Sequence, residues 1–165
     1  MRSETFEWAG PIIGPRMDTG MSGEAYLSGI RDGIVPPPAV GPLISAEIVE
    51  VARGEVQLIC SASDPQFGLL RELDPGMASL LVSTAITCVA RSLMGPRQGW
   101  ATVESRASYL PPASPRVGSL TATAAVVESS EGRALVTGEL ADDHGQVLMT
   151  VSTTLSVFER EYPRP

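Results

Sequence analysis

Two carboxylates stand directly before the start of a predicted helix, in the sequence ELDPG over residues 72–76. Asp74 is typical of an N-cap, and Pro75 is typical of the first helical position. The first N–H groups of a helix have no partner inside it, and the helix dipole favours negative charge there. Gly76 and Met77 therefore offer two donors to a carbonyl oxygen that becomes negative during a reaction.

Asp74 can act in two ways at this position. As a plain N-cap it accepts hydrogen bonds from the first N–H groups, contributes about 1 kcal/mol of stability and repels an oxyanion. Alternatively, the carboxylate of Asp74 or of Glu72 removes a proton from water as a general base. Asp-Pro is so common at helix starts that the pattern favours the cap, and the base remains the alternative.

Hydroxyl side chains recur along the same predicted helix. Ser79, Ser83 and Thr87 are four residues apart and share one face. A serine nucleophile needs a base nearby, and the single histidine, His144, lies far along the chain, so the sequence argues against a Ser-His-Asp triad. We expect these hydroxyls to bond to helix carbonyls instead.

The remaining candidate groups are predicted to be structural. His144 lies with Asp142 and Asp143 in the sequence DDHG, which is typical of a hairpin turn, and no spacing in the chain is typical of a metal site. Cys60 and Cys88 lie in apolar contexts, which indicates two buried thiols rather than a disulfide.

The helix that positions the candidate site is unusually apolar. Charged residues are absent from Pro75 to Ala90, which predicts a buried helix over residues 75–94. A helix of about 19 residues spans roughly 28 Å, enough to cross the core of a small domain.

The other predicted elements are a short helix and six strands. The short helix lies between Ser22 as N-cap and Gly33 as stop, and the connector IVPPPAVGPL is predicted to be extended without helix. Two strands flank the turn at Arg53-Gly54, and four follow the long helix. Tight connections predict that these last four form an antiparallel meander. A five- to six-stranded antiparallel sheet wrapped around one central helix is an α+β fold.

The chain has 165 residues and a formal net charge of -7. The length fits one domain, predicted over residues 21–160 between an N-terminal arm (1–20) and a C-terminal tail (161–165). The negative charge argues against nucleic acid and anionic membranes as partners. We find no apolar run near a membrane span and no signal-peptide pattern, and we therefore expect a cytoplasmic protein.

Three stretches carry a resemblance to a known family: YLSGIRDGIVPPPAV, YLPPASPRVGSL and GELADDHGQVLMTVSTTLSVF. With the order of the elements, they resemble the PaaI-like branch of the hotdog-fold acyl-CoA thioesterases from about residue 22 to residue 158. The resemblance implies a hotdog fold and a homodimer with a continuous sheet, possible also as a dimer of dimers. It further implies an acyl-CoA or acyl-carrier thioester bound at the subunit interface, with no cofactor.

The family signature is a loop with Asn and Gly, then His-Gly-Gly at the helix start, then an acidic residue two turns inside the helix. The His-Gly-Gly positions fall here on Asp74, Pro75 and Gly76, and only the last glycine matches. The helical carboxylate position falls on Ser83, and the Asn position falls near Gly68. The resemblance therefore implies a rearranged site with Asp74, Gly76 and Ser83 as candidate catalytic residues.

The resemblance also implies a pairing strand, and the start of the long helix with the apolar residues around it predicts a site for an acyl chain. The strand GWATVESRASYL is the candidate for edge-to-edge pairing of two subunits. Four arginines could meet CoA phosphate groups: Arg71, Arg97, Arg106 and Arg116. The predicted substrate-binding residues are Phe67, Gly68, Leu69, Met77, Leu80 and Thr84.

Two functions from different classes remain open. The first is an acyl thioester hydrolase with a rearranged site, in which Asp74 or Glu72 is the base. The second is a hotdog-fold protein that binds an acyl thioester without hydrolysing it. A third, weaker alternative is dehydration or isomerisation on the same fold. The resemblance favours the hydrolase.

Overall fold

The computed structural model describes residues 5, 7, 20–62, 67, 72–95, 97–110 and 118–159. Its helices are α1 (Gly23–Arg31), α2 (Val40–Leu43) and α3 (Pro75–Leu93). Its strands are β1 (Ala46–Ala52), β2 (Glu55–Ser61), β3 (Gln98–Tyr109), β4 (Ser119–Ser130), β5 (Arg133–Asp142) and β6 (Val147–Glu159).

The strands form one antiparallel sheet in the order β1-β2-β4-β5-β6-β3. The predicted α+β architecture is confirmed, but the predicted four-strand meander is wrong. Of these four strands only β4, β5 and β6 form a meander, whereas β3 pairs with β6 and is separated from β4 by two strands. Nine residues, 110–118, separate the end of β3 from the start of β4, which is too long for the two-residue loop of a tight hairpin.

Helix α3 packs against the sheet as its core element. Its inward residues Val82, Ala85 and Val89 are fully buried. In β5, a Cβ on Gly138 would lie 2.8 Å from Val82 Cγ1, so the helix approaches the sheet closely there because that strand carries a glycine. By length and composition α3 could cross a membrane, contrary to our sequence expectation, but half of its apolar window is buried inside the fold, as in a core helix.

Helix α1 docks on the C-terminal end of α3. Ser22 Oγ accepts from Ala25 N at 3.2 Å, so the predicted N-cap is confirmed. Gly23 N donates to Met94 O at 3.1 Å, and a Cβ at Gly23 would collide with the carbonyl oxygen of Arg91. Only glycine lets the two helices approach this closely.

The Pro-rich connector contains a short helix, α2, and the prediction that it lacks helix is wrong. Pro42 lies at the third position of this helix. A proline is tolerated there because the N–H groups of a first turn have no partner inside the helix.

Candidate functional site

The start of α3, residues 72–77, is named here the helix entrance. Asp74 is its N-cap, as predicted, and its Oδ1 accepts from Gly76 N at 2.8 Å and from Met77 N at 3.1 Å. The backbone carbonyl of Asp74 accepts from Ala78 N at 3.0 Å. Pro75 has no N–H, so the chain itself pairs every donor of the first turn. Asp74 is exposed, and water reaches its carboxylate.

Glu72 is the second carboxylate of the helix entrance. Its Oε2 is buried and has no hydrogen-bond partner among the described residues. The adjacent Leu73 is buried and forms an isolated antiparallel bridge with Phe67, which holds this short segment against the fold. A buried carboxylate oxygen without a partner is rare and costly, and it is a frequent feature of sites that contact a ligand or reactant.

The hydroxyls of α3 bond to helix carbonyls. Ser79 Oγ donates to Pro75 O at 2.9 Å, and Ser83 Oγ donates to Leu80 O at 3.1 Å. Ser79 Oγ also lies 2.6 Å from the hydroxyl of Tyr109 in β3. Because the single hydrogen of Ser79 is used by Pro75 O, Tyr109 donates in this pair.

Thr84 is also tied to the helix, since its Oγ1 donates to Leu80 O at 2.7 Å. The fold brings Asp74, Gly76 and Met77 together, but Ser83 lies nine residues further along α3, about 13 Å by the helical rise. Met77 and Leu80 are half-buried and pack against the core, as does Phe67. The predicted site residues Gly68 and Leu69 lie outside the described residues, as do Arg71 and Arg116.

A cavity of about 450 Å³ lies elsewhere on the same helix, between α1, the Pro-rich connector, β1 and α3. Of the predicted substrate-binding residues that the structure describes, Thr84 alone lines it. We call it the α1 cavity, and the residues that line it are Tyr26, Leu27, Ile30, Arg31, Pro37, Pro38, Gly41, Ala46, Glu47, Ile48, Leu58, Thr84, Thr87, Cys88, Arg91 and Trp100.

The two arginines of the α1 cavity differ in their partners. Arg31 Nε lies 2.9 Å from Asp32 Oδ1, and this ion pair lowers the pKa of Asp32. Arg91 Cζ lies 5.2 Å from the centroid of the Tyr26 ring, a cation–π distance. Among the described residues no carboxylate lies within 4.0 Å of Arg91.

Cys60 and Cys88 are both buried and form no disulfide with each other, which confirms the prediction of two buried thiols. Burial raises the pKa of the Cys88 thiol to about 11, so this group of the α1 cavity stays neutral at physiological pH. The turn around His144 is also as predicted, and within the described ranges no cluster of three His, Cys, Asp or Glu could hold a metal ion.

Strand β3 lies at one edge of the sheet. Its residues from Ala101 to Tyr109 are exposed, and Val103 and Tyr109 are exposed by more than half. Arg106 is engaged by Glu104 at 2.9 Å, so this predicted phosphate contact already has an anionic neighbour. The outer edge of β3 pairs with no described strand, and such a partly apolar edge is a ready surface for another strand.

No protein-family model matches the sequence, and no curated protein matches it. Solved structures do match the fold. The phenylacetic acid degradation-related protein of Ralstonia eutropha JMP134 has a TM-score of 0.71 at 22% identity, covering 79% of this chain and 98% of that one. The E. coli PaaI protein from the phenylacetic acid degradation operon has a TM-score of 0.71 at 13% identity, covering 82% and 95%.

A third match is a hypothetical thioesterase protein from Streptococcus pneumoniae TIGR4, whose structure includes coenzyme A. Its TM-score is 0.63 at 16% identity, covering 71% of this chain and 88% of that one. Identities this low show the fold alone. The chain is a hotdog-fold protein, and its long helix and six-stranded antiparallel sheet are those of the fold predicted from the sequence.

Proposed function

We propose that the chain hydrolyses acyl thioesters, carried on CoA or on a carrier protein, at its helix entrance. The observation that carries this proposal is the buried Oε2 of Glu72, which lies two residues before the N-cap and has no hydrogen-bond partner among the described residues. The similar structures named as thioesterases, one of them with coenzyme A, favour this substrate class.

In this reaction Glu72 is the general base. Its carboxylate takes a proton from water while the water oxygen bonds to the thioester carbon. The C–S bond then breaks, and the departing thiolate recovers the proton from Glu72. The oxyanion needs donors, and Gly76 and Met77 can supply them once the carboxylate of Asp74 moves away.

One observation favours the second candidate, binding without hydrolysis. Asp74 already holds the N–H groups of Gly76 and Met77. The cap is worth about 1 kcal/mol, whereas loss of one oxyanion donor costs about 3 to 4 kcal/mol of transition-state stabilisation. A chain that keeps its cap throughout would hold an acyl thioester and release it unchanged.

We further propose a cytoplasmic homodimer joined through β3, and a dimer of dimers as its higher assembly. Pairing two copies of β3 would cover an exposed edge and give one continuous sheet. Sedimentation at micromolar concentration measures the assembly, and a monomer would contradict it.

The function is tested by thiol release from a panel of acyl-CoA substrates. Hydrolysis by the wild type should fall about 10²- to 10⁴-fold in Glu72→Gln, the range for loss of a general base. Glu50→Gln, a change at an exposed position of β1, is the matched control and should retain full turnover. Full turnover in Glu72→Gln would remove Glu72 from the mechanism, and acyl-CoA binding without thiol release by the wild type would select the binding protein.

A further inference from the structure

The α1 cavity and the helix entrance lie on different parts of α3. Thr84, Cys88 and Arg91 line the cavity and share one helix face, since they are spaced by four and three residues. Ser83 directly precedes Thr84, which turns it by about 100° from Thr84 around the axis, while Thr87, four residues after Ser83, lines the cavity. The cavity also lies further along the helix, beyond its midpoint and towards α1.

The walls of the α1 cavity are largely apolar. Ile48 and Leu58 come from the sheet, Leu27 and Ile30 from α1, and Trp100 from the start of β3. A volume of about 450 Å³ falls among small-molecule pockets, which run from about 300 to 1,000 Å³. The cavity therefore has the size and lining for the hydrocarbon or aromatic body of a small molecule.

Arg91 is a cation of this lining that has no opposite charge within 4.0 Å among the described residues. Arg31 is held by Asp32, whereas the guanidinium of Arg91 stacks over Tyr26 and reaches no carboxylate of the described residues. Glu47 is the acidic residue of the lining, and it is exposed to solvent in β1. A guanidinium beside apolar walls favours a carboxylate, which it can bind through two parallel hydrogen bonds.

We propose that the α1 cavity binds a hydrophobic monocarboxylate, with its carboxylate on Arg91 and its apolar body against Ile48, Leu58 and Trp100. This is a ligand site separate from the helix entrance. It does not depend on the proposed hydrolysis, because a free carboxylate contains no thioester and its binding is measured without turnover.

Binding is measured with octanoate through the fluorescence of Trp100. Trp8 is the other tryptophan of the chain, so the measurement uses the full chain with Trp8→Phe. We expect saturable binding of octanoate and at least about tenfold weaker binding of the uncharged octanamide, since a charge-assisted pair is worth at least that factor. Equal affinity for both ligands, or no saturation by octanoate, would overturn the proposal, and this comparison needs no variant of Arg91.

Variants assign the carboxylate to one arginine. Arg91→Met should weaken octanoate binding about tenfold or more and leave octanamide unchanged, while Arg91→Lys should recover part of the loss. Arg31→Met is the matched control, since it removes a cation of the same lining that Asp32 already pairs. Unchanged octanoate binding in Arg91→Met, with a folded variant by circular dichroism, would contradict the assignment.

A second readout locates the ligand in this cavity. Cys88 lines the cavity and Cys60 does not, and mass spectrometry distinguishes them after alkylation by iodoacetamide. The thiolate is the reactive form and burial raises the pKa of the Cys88 thiol to about 11, so the alkylation is run at alkaline pH. Octanoate should slow the alkylation of Cys88 and leave the rate at Cys60 unchanged. An equal effect on both thiols, or none on Cys88, would show that octanoate binds elsewhere and would overturn the proposal.

Discussion

The helix entrance and the α1 cavity lie on the same helix, yet they differ in whether their polar groups have partners. At the entrance, Asp74 pairs the N–H groups of Gly76 and Met77 in an exposed setting. In the cavity, apolar walls surround Arg91, which no carboxylate of the described chain pairs. A helix N-terminus usually attracts anions, but here the carboxylate of Asp74 already occupies the donors that an anion would use.

Glu72 qualifies this contrast. Its buried oxygen leaves the entrance with one group that lacks a partner among the described residues, and that group is a base rather than an anion-binding donor. The entrance is therefore suited to remove a proton, and the cavity is suited to hold a negative charge. The two regions differ in chemistry, so variants in one should leave the other intact.

The largest loss of stability is expected from Gly23→Val, which displaces α1 from the α1 cavity and does not touch the helix entrance. Any Cβ at Gly23 would collide with the carbonyl oxygen of Arg91, so α1 must move. Overpacking of this kind costs about 3 kcal/mol or more, and each kcal/mol lowers the Tm of a domain of this size by about 2–4 °C. Thermal unfolding should show this loss, and octanoate binding should disappear while Glu72-dependent thiol release persists.

Ala25→Val is the matched control, because it adds the same branched side chain at an exposed position of α1. Because valine has a lower helix propensity than alanine, Ala25→Val should lower the free energy of unfolding by well under 1 kcal/mol. Equal stability of Gly23→Val and the wild type would contradict the close packing of α1 on α3.

A smaller effect on the free energy of unfolding is expected from the ionisation of Cys88 at alkaline pH. Its pKa rises from 9.0 to about 11 on folding, so the folded state holds the thiol proton more tightly. The resulting stabilisation of about 3 kcal/mol is complete below pH 9.0 and is lost as the pH rises through about 11. Urea unfolding across this window should show the loss in the wild type and not in Cys88→Ala.

The difference between wild type and Cys88→Ala is the quantity to compare, because burial also raises the pKa of Tyr26. Tyr26 titrates in both proteins, so the part of its shift that comes from burial cancels in that difference, while the smaller part due to the charge of Cys88 belongs to the Cys88 effect. A constant difference across the window would mean that Cys88 is not protected by the cavity wall.

Local signals explain what the sequence could predict. Asp74-Pro75 and the uncharged run after it specify the start and burial of α3 through capping and hydrophobic pattern, and both are as expected. Alternation likewise predicted the strands. The partner of β3 was mispredicted, because an edge strand carries no pattern that selects β6 over β4.

The α1 cavity could not be predicted in the same way. Tyr26, Ile48 and Arg91 come from three elements far apart in the chain, and only the fold brings them together. One signal was available: Thr84, Cys88 and Arg91 share a helical face, and Arg91 is the first charge after the uncharged run. The burial of Glu72 Oε2 likewise depends on tertiary packing, which no local pattern encodes.

The smallest effect on stability, and the sharpest test of the entrance, is expected from Asp74. Asp74→Ala removes the cap and should cost about 1 kcal/mol, whereas Asp74→Asn should retain most of it because asparagine caps comparably. Urea unfolding measures both. In Asp74→Ala the N–H groups of Gly76 and Met77 lose their acceptor and become free for a thioester carbonyl.

Thiol release should therefore rise in Asp74→Ala if the cap limits hydrolysis, and octanoate binding in the α1 cavity should stay constant, since Asp74 does not line it. Asp74→Asn is the matched comparison, because it keeps both hydrogen bonds and removes only the charge. If both variants lose turnover while acyl-CoA still binds, Asp74 and not Glu72 is the base at the helix entrance. If Asp74→Ala changes neither turnover nor acyl-CoA binding, the first-turn donors take no part in ligand recognition, and the contrast with Arg91 becomes one between a structural cap and a binding site.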